Sequence, residues 1–303
     1  MTAFKLGRLT VNAVEVPGKE SATYDRRETA VARGADGTTH RTVAEVTRGA
    51  PMLRFGTTAI ETLIGVFDLV GAPETPFRGG AVVFDLGKFD ATTNEPGFDA
   101  AATATRRHTA ALAVTYLDRL SWRQGQVATA DASSYFQSSN GTTDPVAETN
   151  VAYVAPAQPG PGYMLTSLTI GGQTFTRCRS YDLAIEHRGE NNADECYQLG
   201  LPFPVMPTSA GINGQVGIEL DVEVLDMAVA PTGSEASVVA VFTQIAQGGV
   251  IPTSTPNTLT VTLSKCMIRD VSRDAQNAPG AAGRRLKCWP RFDGTTQPLT
   301  IAV

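Results

Sequence analysis

The side chains best suited to proton transfer near neutral pH are three histidines, His40, His108 and His187. A catalytic histidine works beside a nucleophile and an orienting acid. His187 stands in Glu186-His187-Arg188, and His108 follows Arg106-Arg107. Neither context supplies such a set. Glu219, Asp221 and Glu223 alternate with apolar residues, so on a strand they share one face at about 7 Å spacing. Paired carboxylates can do the acid/base work of a glycosidase. Three like charges on one exposed strand read first as a solvated face. Cys178, Cys196, Cys266 and Cys288 show no CxxC or Cys/His knuckle spacing, so buried free thiols are expected rather than zinc. The doublets Arg26-Arg27, Arg106-Arg107 and Arg284-Arg285 are dispersed and offset by nearby acids. They suit ion pairs at a surface or subunit contact better than a phosphate site. No GxSxG, HExxH, Walker A or GxGxxG motif is present. No catalytic residue, metal or cofactor is expected.

The elements that carry these residues follow from composition and periodicity. The 303 residues have 25 cations against 30 acids and a net charge of −5, unlike the basic face of a nucleic-acid binder. Hydrophobic residues make up 42%, enough for a real core, and 29 Gly with 18 Pro point to many turns. No apolar run reaches the roughly 18 residues of a membrane span. Met1-Thr2-Ala3-Phe4-Lys5 lacks the basic and apolar regions of a secretory signal, so synthesis in the cytoplasm is expected.

An all-β fold is expected. Val216, Ile218, Leu220, Val222 and Val224 alternate with Gly217, Glu219, Asp221 and Glu223, the pattern of a half-buried strand. Leu259, Val261 and Leu263 alternate with threonines in the same way. Gly171-Gly172 between two apolar runs reads as a two-residue hairpin turn. Two short helices are expected. Ile60, Leu63, Ile64 and Phe67 have helical spacing after a Thr58/Glu61 capping box. Val238, Val241, Phe242 and Ile245 have the same spacing before Gly248-Gly249.

Three prolines and two glycines in Ala155-Pro156-Ala157-Gln158-Pro159-Gly160-Pro161-Gly162 predict a linker near mid-chain. The stretches 91–105 and 277–283 read as loose surface segments. Similar strings flank the linker in the same order. Leu6-Gly7-Arg8-Leu9-Thr10-Val11 parallels Leu165-Thr166-Ser167-Leu168-Thr169-Ile170, and Tyr24-Asp25 parallels Tyr181-Asp182. The run from His108 parallels the run from Thr258, and Gly141-Thr142-Thr143-Asp144-Pro145 parallels Gly294-Thr295-Thr296-Gln297-Pro298. The expectation is a degenerate tandem duplication: β domains over 1–152 and 164–303, each a sandwich or barrel with one short helix, joined by a linker over 153–163.

The string from Leu165 to Phe175, then Ser180-Tyr181-Asp182-Leu183-Ala184-Ile185-Glu186-His187-Arg188, resembles the opening hairpin of bacteriophage tail tube proteins. Pro202 to Pro207 stands where that family returns to its next strand. The run from Leu259 to Ile268, Leu286, Phe292-Asp293-Gly294 and Leu299-Thr300-Ile301 resemble its closing strands. The first half is similar more loosely, through 6–16, the helix from Thr58, and 116–144.

The resemblance implies a structural, non-enzymatic virion protein of the tail. Its copies would form stacked rings around a channel for passing DNA, with other tail proteins at the ends and no membrane. Two tube domains in one chain imply a trimeric, pseudo-hexameric ring. If only the second half were a tube domain, the ring would be hexameric. A basic wall would grip DNA, and a neutral or acidic wall would let it slide. Glu219, Asp221 and Glu223 are therefore candidates for the lumen, and polar loops at 33–41 and 189–198 for contacts between rings. The alternative is a distal-tail, decoration or carbohydrate-binding β-sandwich, which would need an exposed aromatic platform. Only Trp122 and Trp289 are available for one.

Overall fold

The structure, a computed structural model, describes residues 4–26, 28–33, 43–67, 77–88, 105–188, 201–205, 215–225, 235–245, 256–275 and 282–303. Arg27, His40, Cys196, Pro207, Gly248-Gly249, the loop residues 34–41 and 189–198, and most of 91–105 and 277–283 lie outside the described residues.

The fold is all-β. The first half runs β1 (Phe4–Val11), β2 (Val14–Glu15), β3 (Lys19–Asp25), β4 (Glu28–Arg33), β5 (Val43–Gly49), β6 (Met52–Thr57), α1 (Ile60–Phe67), β7 (Phe77–Lys88), β8 (Thr105–Arg123), β9 (Thr129–Phe136) and β10 (Val146–Val151). The second half runs β11 (Tyr163–Ile170), β12 (Gln173–Phe175), β13 (Cys178–Arg188), β14 (Gln215–Val224), β15 (Glu235–Gln244), β16 (Thr258–Ala275), β17 (Ala282–Trp289) and β18 (Leu299–Ala302). Residues 152–162 between the halves form no helix or strand.

The strand order of the first half is β2-β1-β7-β8-β9-β6-β3, with β10 also on β8. The second half repeats it as β12-β11-β15-β16-β17-β14-β13, with β18 also on β16. The irregularities repeat as well. The bulge between Leu117 and Arg119 against β9 matches the one between Asp270 and Ser272 against β17. The shift between Gly80 and Val82 against β8 matches the one between Ala236 and Val238 against β16. These shared bulges fix an alignment in which Ala113 corresponds to Cys266, and Ser21 to Ser180. In the same alignment the hairpin β4–β5 continues β3 and β6 in the register that β13 and β14 keep as unbroken strands.

Each half opens with a two-residue type I′ hairpin. In the second half Gly171 and Gly172 take φ of 57° and 81°, as their lack of Cβ allows. In the first half the same turn is made by Asn12 at 49° and Ala13 at 65°.

The expected second helix is a strand. Val238, Val241, Phe242 and Ile245 belong to β15 or its end, where Val238, Ala240 and Phe242 point into the core. The residues alternating with them, Val239 and Val241, are apolar too, so a two-residue period hid inside an apolar run that also fits helical spacing. The first helix is present, with Ile60, Leu63, Ile64, Val66 and Phe67 buried. Its expected capping box is replaced. Thr57, not Thr58, accepts the Ala59 amide at 3.0 Å, and Glu61 instead accepts the Tyr163 hydroxyl at 2.5 Å. Tyr163 opens the second half, so this bond ties α1 to it.

The two halves also share one sheet. β13 pairs antiparallel with β8, from Ser180 opposite Arg123 to Ala184 opposite Arg119. Behind this junction Leu120, Leu183, Leu220, Cys288 and Ile268 stand in register across five strands, each no more than 1% exposed. Burying each leucine contributes roughly 1.5–3 kcal/mol.

Candidate functional site

Opposite that apolar row lies a continuous polar face. Strand alternation places Thr129, Ser121, Asp182, Asp221, Lys287 and Arg269 side by side on β9, β8, β13, β14, β17 and β16. The next row runs Ser21, Gly56, Asp131, Arg119, Ala184 and Glu219. Both rows cross the junction between the halves without a break. Two shallow grooves of about 610 and 900 Å³ lie on this face.

Glu219, Asp221 and Glu223 are all on it, but they do not form a bare acidic strip. Glu219 pairs with Lys287 and accepts the Trp289 indole N–H at 2.9 Å. The Lys287 bond holds the Glu219 carboxyl below its ordinary range. Asp221 takes the Arg285 guanidinium, with Nε at 2.8 Å. Glu223 takes Arg179 at 2.6 Å. One strand away, Arg119 donates to Asp182 at 2.5 Å. The sequence shows the acids because they sit on one strand. Their cations come from β17 and the start of β13, out of reach of any local pattern. The face is a lattice of cross-strand pairs rather than a negative field.

Two carboxylates on this face have raised pKa values. Asp118 sits in the bulge of β8, and burial pushes it up to about 6 against a stabilising bond from Ser133. Burial also raises Asp131. Neither was singled out in the sequence, because their burial depends on the bulge and on strands β6 and β9.

The other candidates have structural surroundings. His108 is 3% exposed and stacks on Phe84, with ring centroids 4.7 Å apart. Its Nδ1 lies 3.5 Å from Glu148 but makes no hydrogen bond, and desolvation lowers its pKa. His187 lies on β13 opposite Val216. Among the described residues of the Arg doublets, each faces a carboxylate: Arg26 faces Asp144, Arg106 faces Glu148, Arg107 faces Asp85 with two bonds of 2.8 Å, Arg284 faces Asp270, and Arg285 faces Asp221. Cys178, Cys266 and Cys288 are free thiols, and burial pushes the last two up to about 12. Among the described residues no group of His, Cys, Asp or Glu could hold a metal ion. No described helix is long and apolar enough to cross a membrane. Trp122 is buried and Trp289 is bonded to Glu219, so neither offers a free aromatic platform.

No protein-family model matches the chain, and no curated protein matches it.

Proposed function

We propose that the protein is a structural subunit of a phage tail tube, whose copies close into rings that stack around a channel for DNA. The observation that carries this reading is the junction of β13 with β8. It joins two units of identical strand order edge to edge and carries one polar face across both. Head-to-tail joining of like units gives a ring when the rotation closes. On the bore side such a ring would present the face bearing Glu219, Asp221 and Glu223. With those carboxylates held by Lys287, Arg285 and Arg179, the wall offers DNA neither a cationic grip nor strong repulsion.

Two units per chain favour a trimeric, pseudo-hexameric ring in the virion tail, assembled from chains made in the host cytoplasm. Negative-stain microscopy and native mass spectrometry of the purified chain test this. Rings or hollow tubes built of trimers are expected. Solitary monomers at every concentration would overturn it. A ring with Glu219, Asp221 and Glu223 on its outer surface would overturn the lumen assignment alone.

A further inference from the structure

The junction inside the chain is also a template for a junction between chains. In the alignment fixed by the shared bulges, β13 corresponds to β3 and β8 to β16. Among the described residues β3 has a neighbouring strand on one side only, β6. On the side where β8 receives β13, β16 is paired with β15 only as far as Met267. Among the described residues, therefore, the edges that meet within the chain have counterparts that are both open.

The surroundings of the two sites differ in the same sense. Pro202 and Pro204, from the second half, accept the amides of Gly49 and Ser138 in the first, and Phe203 donates to Gly141. Gly141 has φ of 75°, and a Cβ there would run into Leu201 and Val205. Its counterpart Gly294 has φ of 94° and nothing within 4 Å of a Cβ. Val114 and Tyr116 are 1% and 6% exposed, whereas the corresponding Met267 is 52% exposed and Arg269 is also exposed. In the same half Val271 and Phe292 are also exposed, at 51% and 55%. Segment 201–205 covers part of the first half, and among the described residues no such segment meets the corresponding surface of the second.

We infer that a second copy of this chain covers it, with its β3 adding antiparallel to the β16 of the first. The in-chain register carries over directly. Tyr181 opposite Trp122 becomes Ala22 opposite Ala275, and Asp182 opposite Ser121 becomes Thr23 opposite Asp274. Edge pairing of this kind supplies main-chain hydrogen bonds and removes both open edges. The inference rests on the ring reading above and specifies which strands make the seam.

The test uses the full chain. Thr23→Cys and Asp274→Cys are combined and treated with a short bis-maleimide, with each single variant as control for the native thiols. Met267→Asp is made separately, at a site exposed enough to leave the monomer's melting temperature unchanged. The expected result is covalent oligomers up to ring size for the double variant alone, and a folded monomer that no longer assembles for Met267→Asp. If the unmodified chain forms rings while the double variant gives no more cross-linking than the single ones, or Met267→Asp still assembles, the seam is wrong and the ring reading stands. If the unmodified chain forms no rings at all, the ring reading falls and the seam falls with it.

Discussion

Asp118 and His108 put opposite signs into the pH dependence of stability. The folded Asp118 carboxyl titrates near 6, above the ordinary 3.8, so its ionised form costs stability above pH 6 and the cost fades as pH falls toward 3.8. Asp118→Asn should therefore raise stability at pH 8 by about 1–3 kcal/mol and have little effect near pH 4. Urea unfolding midpoints at the two pH values check this, and an equal shift at both would refute it. His108 is displaced below its ordinary 6.5, so the unfolded chain takes up the proton first. Its contribution is present above pH 6.5 and is lost as pH falls below it. His108→Phe, which keeps the stack on Phe84, should flatten the acid limb of that curve. At Ala13 the left-handed φ of 65° burdens a side chain with no means to offset it. Ala13→Gly should stabilise by about 0.5–1 kcal/mol in thermal unfolding.

At the scale of elements, the sequence was readable wherever alternation was clean. The strand bearing Glu219, Asp221 and Glu223 and the Gly171-Gly172 turn both lie where periodicity and turn chemistry place them. Strands with apolar residues on both faces were not readable, as β15 shows. The repeat was legible in part. The 6–11/165–170 match and the Gly141/Gly294 match are in the true register, and in both loops a side-chain oxygen, of Asn140 or Asp293, accepts two following amides. The Tyr24/Tyr181 match was two residues off, since the ladders set Tyr24 against Leu183. A slip of two leaves every side chain on its own face, so alternation cannot detect it; only the bulges can. The Glu61 bond to Tyr163 was likewise invisible, because a capping box is local and this partner is 102 residues away. Tyr163→Phe should cost about 1.5–3 kcal/mol through loss of a hydrogen bond to a charged acceptor, measured by chemical unfolding.

Sixteen of the described strands form one sheet that joins both halves over a shared apolar core, and its polar face carries pairs rather than patches. Duplex DNA should therefore show no mobility shift with the chain at physiological salt, and Lys or Arg should have to replace Glu219 and Asp221 together before retention appears. A shift with the unmodified protein would contradict the proposed passive channel wall. Sequence composition hinted at this balance through the net charge of −5, but the pairing itself depends on which strands become neighbours.

The fused junction has an evolutionary corollary. An interface between identical units must use the same residues every time it recurs. Once β13 and β8 belong to one polypeptide, their contact and its counterpart are encoded separately and can drift apart. The halves have diverged in this way on their polar face: Asp221 and Arg285 stand where the first half has Arg54 and Asp131, so acid and base have changed places. Encoding the two halves separately releases each such pair of positions to change sign on its own, and would let the proposed ring carry two kinds of joint.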